Sequence, residues 1–125
     1  MKHSARPVFL NLMQIELPVG ALTSILHRIT GVILAAGVPA GIYLLDHSLQ
    51  SEQGFLEVAG LLGGAAVKAA VVLFIWALAH HALAGVRHLL TDFNVGSPLR
   101  AARRSAWVVN VAGVAVGLFA AAVVL

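Results

Sequence analysis

Charged residues avoid the middle of three long apolar stretches in this chain, residues 21–45, 65–90 and 106–125. A run of roughly 18 or more apolar residues with few charges is the signature of a bilayer-spanning helix. Each stretch is long enough to cross about 30 Å of hydrocarbon at 1.5 Å per residue. The chain has 125 residues, 60% of them hydrophobic and 10% charged, and its mean hydropathy is +0.94. A water-soluble fold of this size could not bury so much apolar surface. The expected architecture is an all-α integral membrane protein of three transmembrane helices, forming a single domain over residues 1–125. Pro39 falls inside the first span, where neighbouring helices can cover the carbonyl it leaves unpaired.

Several chemistries are excluded at once. There is no cysteine, so this chain supplies no disulfide, thiol nucleophile, iron–sulfur ligand or covalent c-type haem attachment. The net charge of +3 comes from basic residues beside the spans, which points to membrane orientation rather than to nucleic acid. The opening residues Met1 to Pro7 are basic, with no short apolar core and cleavage site following at once, and are not expected to be a cleaved signal peptide.

The connections differ in charge. Residues 46–64 carry Asp46, Glu52 and Glu57 with no Lys or Arg, and Ser51-Glu-Gln-Gly54 reads as a loop. Residues 94–104 contain Gly96-Ser97-Pro98 followed by Arg100, Arg103 and Arg104. Lys2, Arg6, Arg28 and Arg87 fall near the same side as those arginines, leaving Lys68 near the acidic loop. By the positive-inside rule the N-terminus is cytoplasmic and the C-terminus outside. Lys68 is expected to snorkel and Trp107 to anchor at an interface. Gly113, Gly117 and Ala121 make a ridge of small residues on which another helix can approach closely.

An ionisable group within a span needs a partner or a purpose, because a charge at the centre costs roughly 2.5–3.5 kcal/mol on insertion scales. Two clusters meet that description. Ser24, His27, Arg28 and Gly31 lie at i, i+3, i+4 and i+7; His81, Gly85, His88 and Asp92 lie at i, i+4, i+7 and i+11, with His80 and Arg87 alongside. Each is one stripe of a helix. The spans are antiparallel, so both stripes fall near the same end and can face a common cavity. His81 sits about 10 Å deeper than His88.

Spacing leaves two readings open. A neutral imidazole at that depth, with a glycine one turn away, suits axial ligation of a flat macrocycle such as haem, whose anionic propionates would seek Arg or protonated His nearer the surface. A membrane histidine can equally be an interhelical hydrogen-bonding group. His80 points about 100° away from His81, so the two cannot clamp one iron from opposite faces, and a second ligand must come from another chain.

Two motifs carry a resemblance. Ser24-Ile-Leu-His-Arg-Ile-Thr-Gly31, preceded by Arg6-Pro7 and Pro18, and His81-Ala-Leu-Ala-Gly-Val-Arg-His88 followed by Asp92, together resemble the cytochrome b membrane-anchor subunit of succinate dehydrogenase, the larger anchor of respiratory complex II. The likeness runs over nearly the whole chain. It implies a bundle completed by a second small anchor subunit, with His81 as the axial ligand of a b haem and the other ligand from that partner. It also implies that His27 and Arg28 lie near the haem propionates, with His88 and Asp92 as structural or propionate-side groups. Ser24 and Arg28 would help form the ubiquinone site beside the iron–sulfur subunit, with the flavoprotein beyond it. His80 departs from the family pattern, in which an aromatic or apolar residue commonly precedes the ligand.

The function expected is a haem-binding anchor, non-catalytic by itself, within succinate:quinone oxidoreductase of the bacterial inner membrane. One alternative is the haem-free anchor of a fumarate reductase-type complex, which a haem b absorption band would exclude. Another is a small helical transporter subunit, against which stands the crowding of ionisable groups at one end.

Overall fold

The computed structural model describes residues 17–125; Lys2, Arg6 and Pro7 lie outside the described residues. Four helices follow in order: α1 Val19–Gln50, α2 Glu52–Leu62, α3 Ala65–Asp92 and α4 Leu99–Val124. Of these, α1, α3 and α4 are long and apolar enough to cross a bilayer, which makes the chain an all-α integral membrane bundle of three spans.

The helix ends depart from the sequence-based boundaries for identifiable reasons. The loop expected at Ser51–Gly54 reduces to Ser51 alone. α1 continues through Asp46 to Gln50, and its 32 residues correspond to about 48 Å at 1.5 Å per residue, well beyond the hydrocarbon thickness. Ser51 then turns to extended backbone (φ −163°, ψ 162°), and its hydroxyl accepts the Gly54 amide at 3.0 Å, capping α2 with Glu52 in the favourable first turn. A side chain at position 54 would strike the His47 carbonyl, so glycine is what lets α2 fold back against α1.

The second connection is shorter than expected. Arg100, Arg103 and Arg104 belong to the first turns of α4. α3 ends in a Schellman arrangement: the Val95 amide donates to the Leu90 carbonyl at 2.8 Å and Asn94 to Thr91 at 2.9 Å. This requires a left-handed residue at the C′ position. Asn94 supplies it with φ 60°, a conformation asparagine tolerates better than most residues.

α3 lies between α1 and α4 and packs against both. Its buried residues Ala77, His80 and Ala84 meet Ala106, Val109, Gly113 and Ala120 of α4, and small side chains let the backbones come close. The small-residue ridge of α4 is used here: a Cβ on Gly113 would come 3.1 Å from His80 and one on Gly117 3.1 Å from Trp76. Large apolar residues such as Val32, Ile42, Leu118 and Phe119 face outward, as a lipid-facing surface requires. At the end bearing the acidic residues the helices diverge around a cavity of about 1070 Å³ lined by α1, α2 and α3, including Ile33, Gly41, Val58 and Phe74.

Candidate functional site

The two stripes meet as a packed seam rather than as an open cavity. His27 on α1 and His81 on α3 stack with ring centroids 4.1 Å apart and planes 16° apart, and His88 tilts against His27 at 5.1 Å. Glycines make the room. A Cβ on Gly31 would stand 3.0 Å from the His81 ring, and one on Gly85 would stand 3.6 Å from His27 Nε2. Each histidine thus sits over the glycine that follows its partner by four residues.

Backbone hydrogen bonding orients His81. Its Nδ1–H donates to the His27 carbonyl at 3.0 Å, and the Thr30 hydroxyl oxygen lies 3.3 Å from the same nitrogen. Thr30 is fully buried, and its proton goes back to the Leu26 or His27 carbonyl, at 2.8 and 3.0 Å, leaving the oxygen free to accept. With Nδ1 holding the proton, Nε2 is the unprotonated nitrogen, and it makes no hydrogen bond to any described residue. A metal-ligating histidine characteristically donates its other N–H to a carbonyl in this way. The stacked His27 does not obstruct it, because the Nε2 lone pair lies in the ring plane while the stack covers a ring face.

The remaining residues divide between seam and surface. Arg28 and Ser24 make no hydrogen bond to a described residue, and Arg28 is exposed, turned about 100° from His27 along the helix. Arg28 thus stands apart from the histidine stack although it shares its end of the bundle, while half-buried Ser24 lies one turn before His27. Arg87 is committed to α4, donating to Ser105 Oγ at 3.0 Å and to the Ala102 carbonyl at 3.3 Å. Asp92, at the last turn of α3, is exposed. Among the described residues no three His, Cys, Asp or Glu side chains converge on a bare metal ion. What the seam offers a metal is a single ring nitrogen, Nε2 of His81, with its Nδ1 held by the His27 carbonyl.

A second polar cluster escapes a search for ionisable residues. His80 is 1% exposed, and its Nε2–H donates to Asn110 Oδ1 at 3.1 Å. Thr23, fully buried on α1, directs its hydroxyl toward the same oxygen at 3.2 Å and toward the Val19 carbonyl at 2.9 Å. Three helices meet at one amide. His80 Nδ1 and Asn110 Nδ2 are buried without a protein partner, each a cost of about 1–3 kcal/mol. The available signal was Asn110 itself, an amide halfway along an otherwise apolar span.

Residues 2–120 match the family described as succinate dehydrogenase/fumarate reductase transmembrane subunit. The chain is 34% identical over 110 residues to the succinate dehydrogenase cytochrome b556 subunit of Coxiella burnetii, covering 87% of this chain and 88% of that one. It is 32% identical to the protein of the same name from Paracoccus denitrificans (80% and 77% covered) and 30% identical to that of Rickettsia typhi (90% and 87% covered). With three spans, a histidine seam and a match over nearly its full length, this chain belongs to the succinate dehydrogenase/fumarate reductase transmembrane subunit family.

Proposed function

We propose that this chain is the haem b-binding anchor of a succinate:quinone oxidoreductase, with His81 as the iron ligand it contributes and a second anchor subunit supplying the other. The observation that carries the reading is the 3.0 Å contact of His81 Nδ1 with the His27 carbonyl, which in a neutral ring leaves Nε2 as the nitrogen free to ligate. The names of the relatives, all cytochrome b556 subunits, support the same cofactor. His27 stacks on His81 and His88 adjoins His27 toward the surface, and with Arg28 they are the residues of this chain suited to hold the propionates. Haem, when bound, supplies one-electron storage inside the bilayer.

Ser24 and Arg28 are assigned to ubiquinone. They lie one helical turn apart near the end of α1 where Arg87, Arg100, Arg103 and Arg104 also collect, the end that the positive-inside rule places in the cytoplasm of a bacterium, beneath the inner membrane. The C-terminus then lies outside. A soluble flavoprotein and iron–sulfur subunit would dock at that cytoplasmic end and deliver electrons there. The hydroxyl and guanidinium can donate hydrogen bonds to quinone oxygens. As quinone is reduced, negative charge develops on those oxygens, and a fixed cation in a site partly closed to water stabilises it.

Purified complexes carrying His81→Ala and Arg28→Leu test both assignments. His81→Ala is expected to remove the haem b absorption band; a band of normal intensity would overturn the ligand. Arg28→Leu should lower succinate-dependent quinone reduction about ten- to a hundredfold, the equivalent of a charge-assisted bond of roughly 1.5–3 kcal/mol, with Ser24→Ala costing less. Succinate oxidation with an artificial soluble acceptor should persist. Lost haem or assembly with unchanged quinone affinity would show that Arg28 serves only a propionate or a lipid phosphate.

A further inference from the structure

We infer that His80 is a positioning residue: with Asn110 it holds α3 at the rotation that aims His81, so that two consecutive histidines tether α3 to α4 and to α1. The inference rests on His81 being the haem ligand.

Successive helical residues point about 100° apart. α3 uses that divergence to reach both neighbours at one level, His80 bonding Asn110 on α4 and His81 bonding the His27 carbonyl on α1. Turning α3 displaces both rings together and so changes both bonds at once. Neither neighbour can yield, because each ring already lies against a glycine backbone: a Cβ on Gly113 would be 3.1 Å from His80 Cδ2, and one on Gly31 3.0 Å from His81 Cε1. A rotation of about 10° moves a group roughly 6 Å from the helix axis by about 1 Å, enough to break a hydrogen bond of 3.0 Å. Thr23 closes the arrangement by tying α1 to the same Asn110 oxygen, so α4 cannot drift with His80. Apolar side chains could pack three helices without leaving His80 Nδ1 and Asn110 Nδ2 buried and unpaired. The polar cluster contributes direction, which shape alone does not fix.

The test uses the whole purified complex and reads the ferric haem by electron paramagnetic resonance, because low-spin g values follow the orientation of the axial imidazole planes. Haem content and thermal midpoint are read alongside. His80→Leu and Asn110→Leu are each expected to retain haem and shift the g values in the same direction, with the double variant shifting no further than either single one. His80→Gln, which keeps an N–H for Asn110, should restore most of the parent spectrum. Gly113→Ala keeps both polar groups but displaces the His80 ring, and should shift the g values without lowering haem content; it decides the matter if the leucine variants fail to assemble. A lowered thermal midpoint with unchanged g values, in the leucine variants or in Gly113→Ala, would overturn the positioning role. Retention of the haem band in His81→Ala would instead overturn the ligand on which that role depends.

Discussion

The two ends of the bundle are built on opposite terms. At the basic end α1, α3 and α4 close on one another through His27, His81, His80, Asn110 and Thr23, with Gly31, Gly85 and Gly113 beneath the rings. At the acidic end α1 and α3 diverge around an apolar cavity lined in part by α2, and the side-chain ion pair between α1 and α2 is an exposed His47–Glu57 contact of 3.0 Å. The acidic end has the more continuous apolar lining and the looser packing. In a bilayer that is the expected order, because lipid chains are as apolar as leucine and helices gain by associating where small residues and interhelical hydrogen bonds bring them together.

The most damaging way to break this contrast is to add bulk at the tight end. Gly31→Val places branched atoms where even a Cβ meets the His81 ring at 3.0 Å, and should destabilise the bundle by about 1–3 kcal/mol, seen as a lower thermal midpoint and less haem per complex. A neutral result would mean that α1 and α3 are not in close contact there. Bulk at the loose end should behave differently. Ala70→Leu projects into the cavity and is expected to change stability by no more than about 0.5 kcal/mol, in either direction; a loss as large as that of Gly31→Val would erase the distinction between the ends.

The smallest effect concerns pH at the acidic end. The Gln53 amide, and after it His47, hold the Glu57 carboxyl below its ordinary value of 4.5. A carboxyl lowered in the folded state contributes above its unfolded pKa, and that contribution disappears as pH falls through the lower folded value. Docking of α2 should therefore weaken slightly below pH 4.5, the group being exposed. Hydrogen exchange of α2 amides, corrected for intrinsic rate, would show this in the parent chain; the same pH dependence in Glu57→Gln would exclude Glu57 as its source.

The three spans were legible because hydropathy over some 18 residues is a signal no loop imitates. α2 was not, since Glu52–Leu62 mixes glutamates and glycines with leucines in a segment too short to span, and its helix is declared by the Ser51 cap rather than by hydropathy. The pairing of His27 with His81 followed from two stripes at one end of antiparallel helices. The position of Arg28 outside that seam did not, because being next to His27 in sequence turns it to another face. Asn110 is a different case: it carries no charge and belongs to neither ionisable stripe, yet it joins all three spans.

The reciprocal seating of two histidines on two glycines gives the seam a local symmetry. His27 and Gly31 are spaced as His81 and Gly85 are, the helices run in opposite directions, and a half-turn about an axis between them exchanges the two contacts. The exchange is approximate, the Gly31 contact being 3.0 Å and the Gly85 contact 3.6 Å. Charge does not follow it, because the residue following the histidine is Arg28 on one helix and Ala82 on the other, both exposed. The exposed charge beside the seam is therefore one-sided: the position on α3 that the half-turn exchanges with Arg28 holds the apolar Ala82.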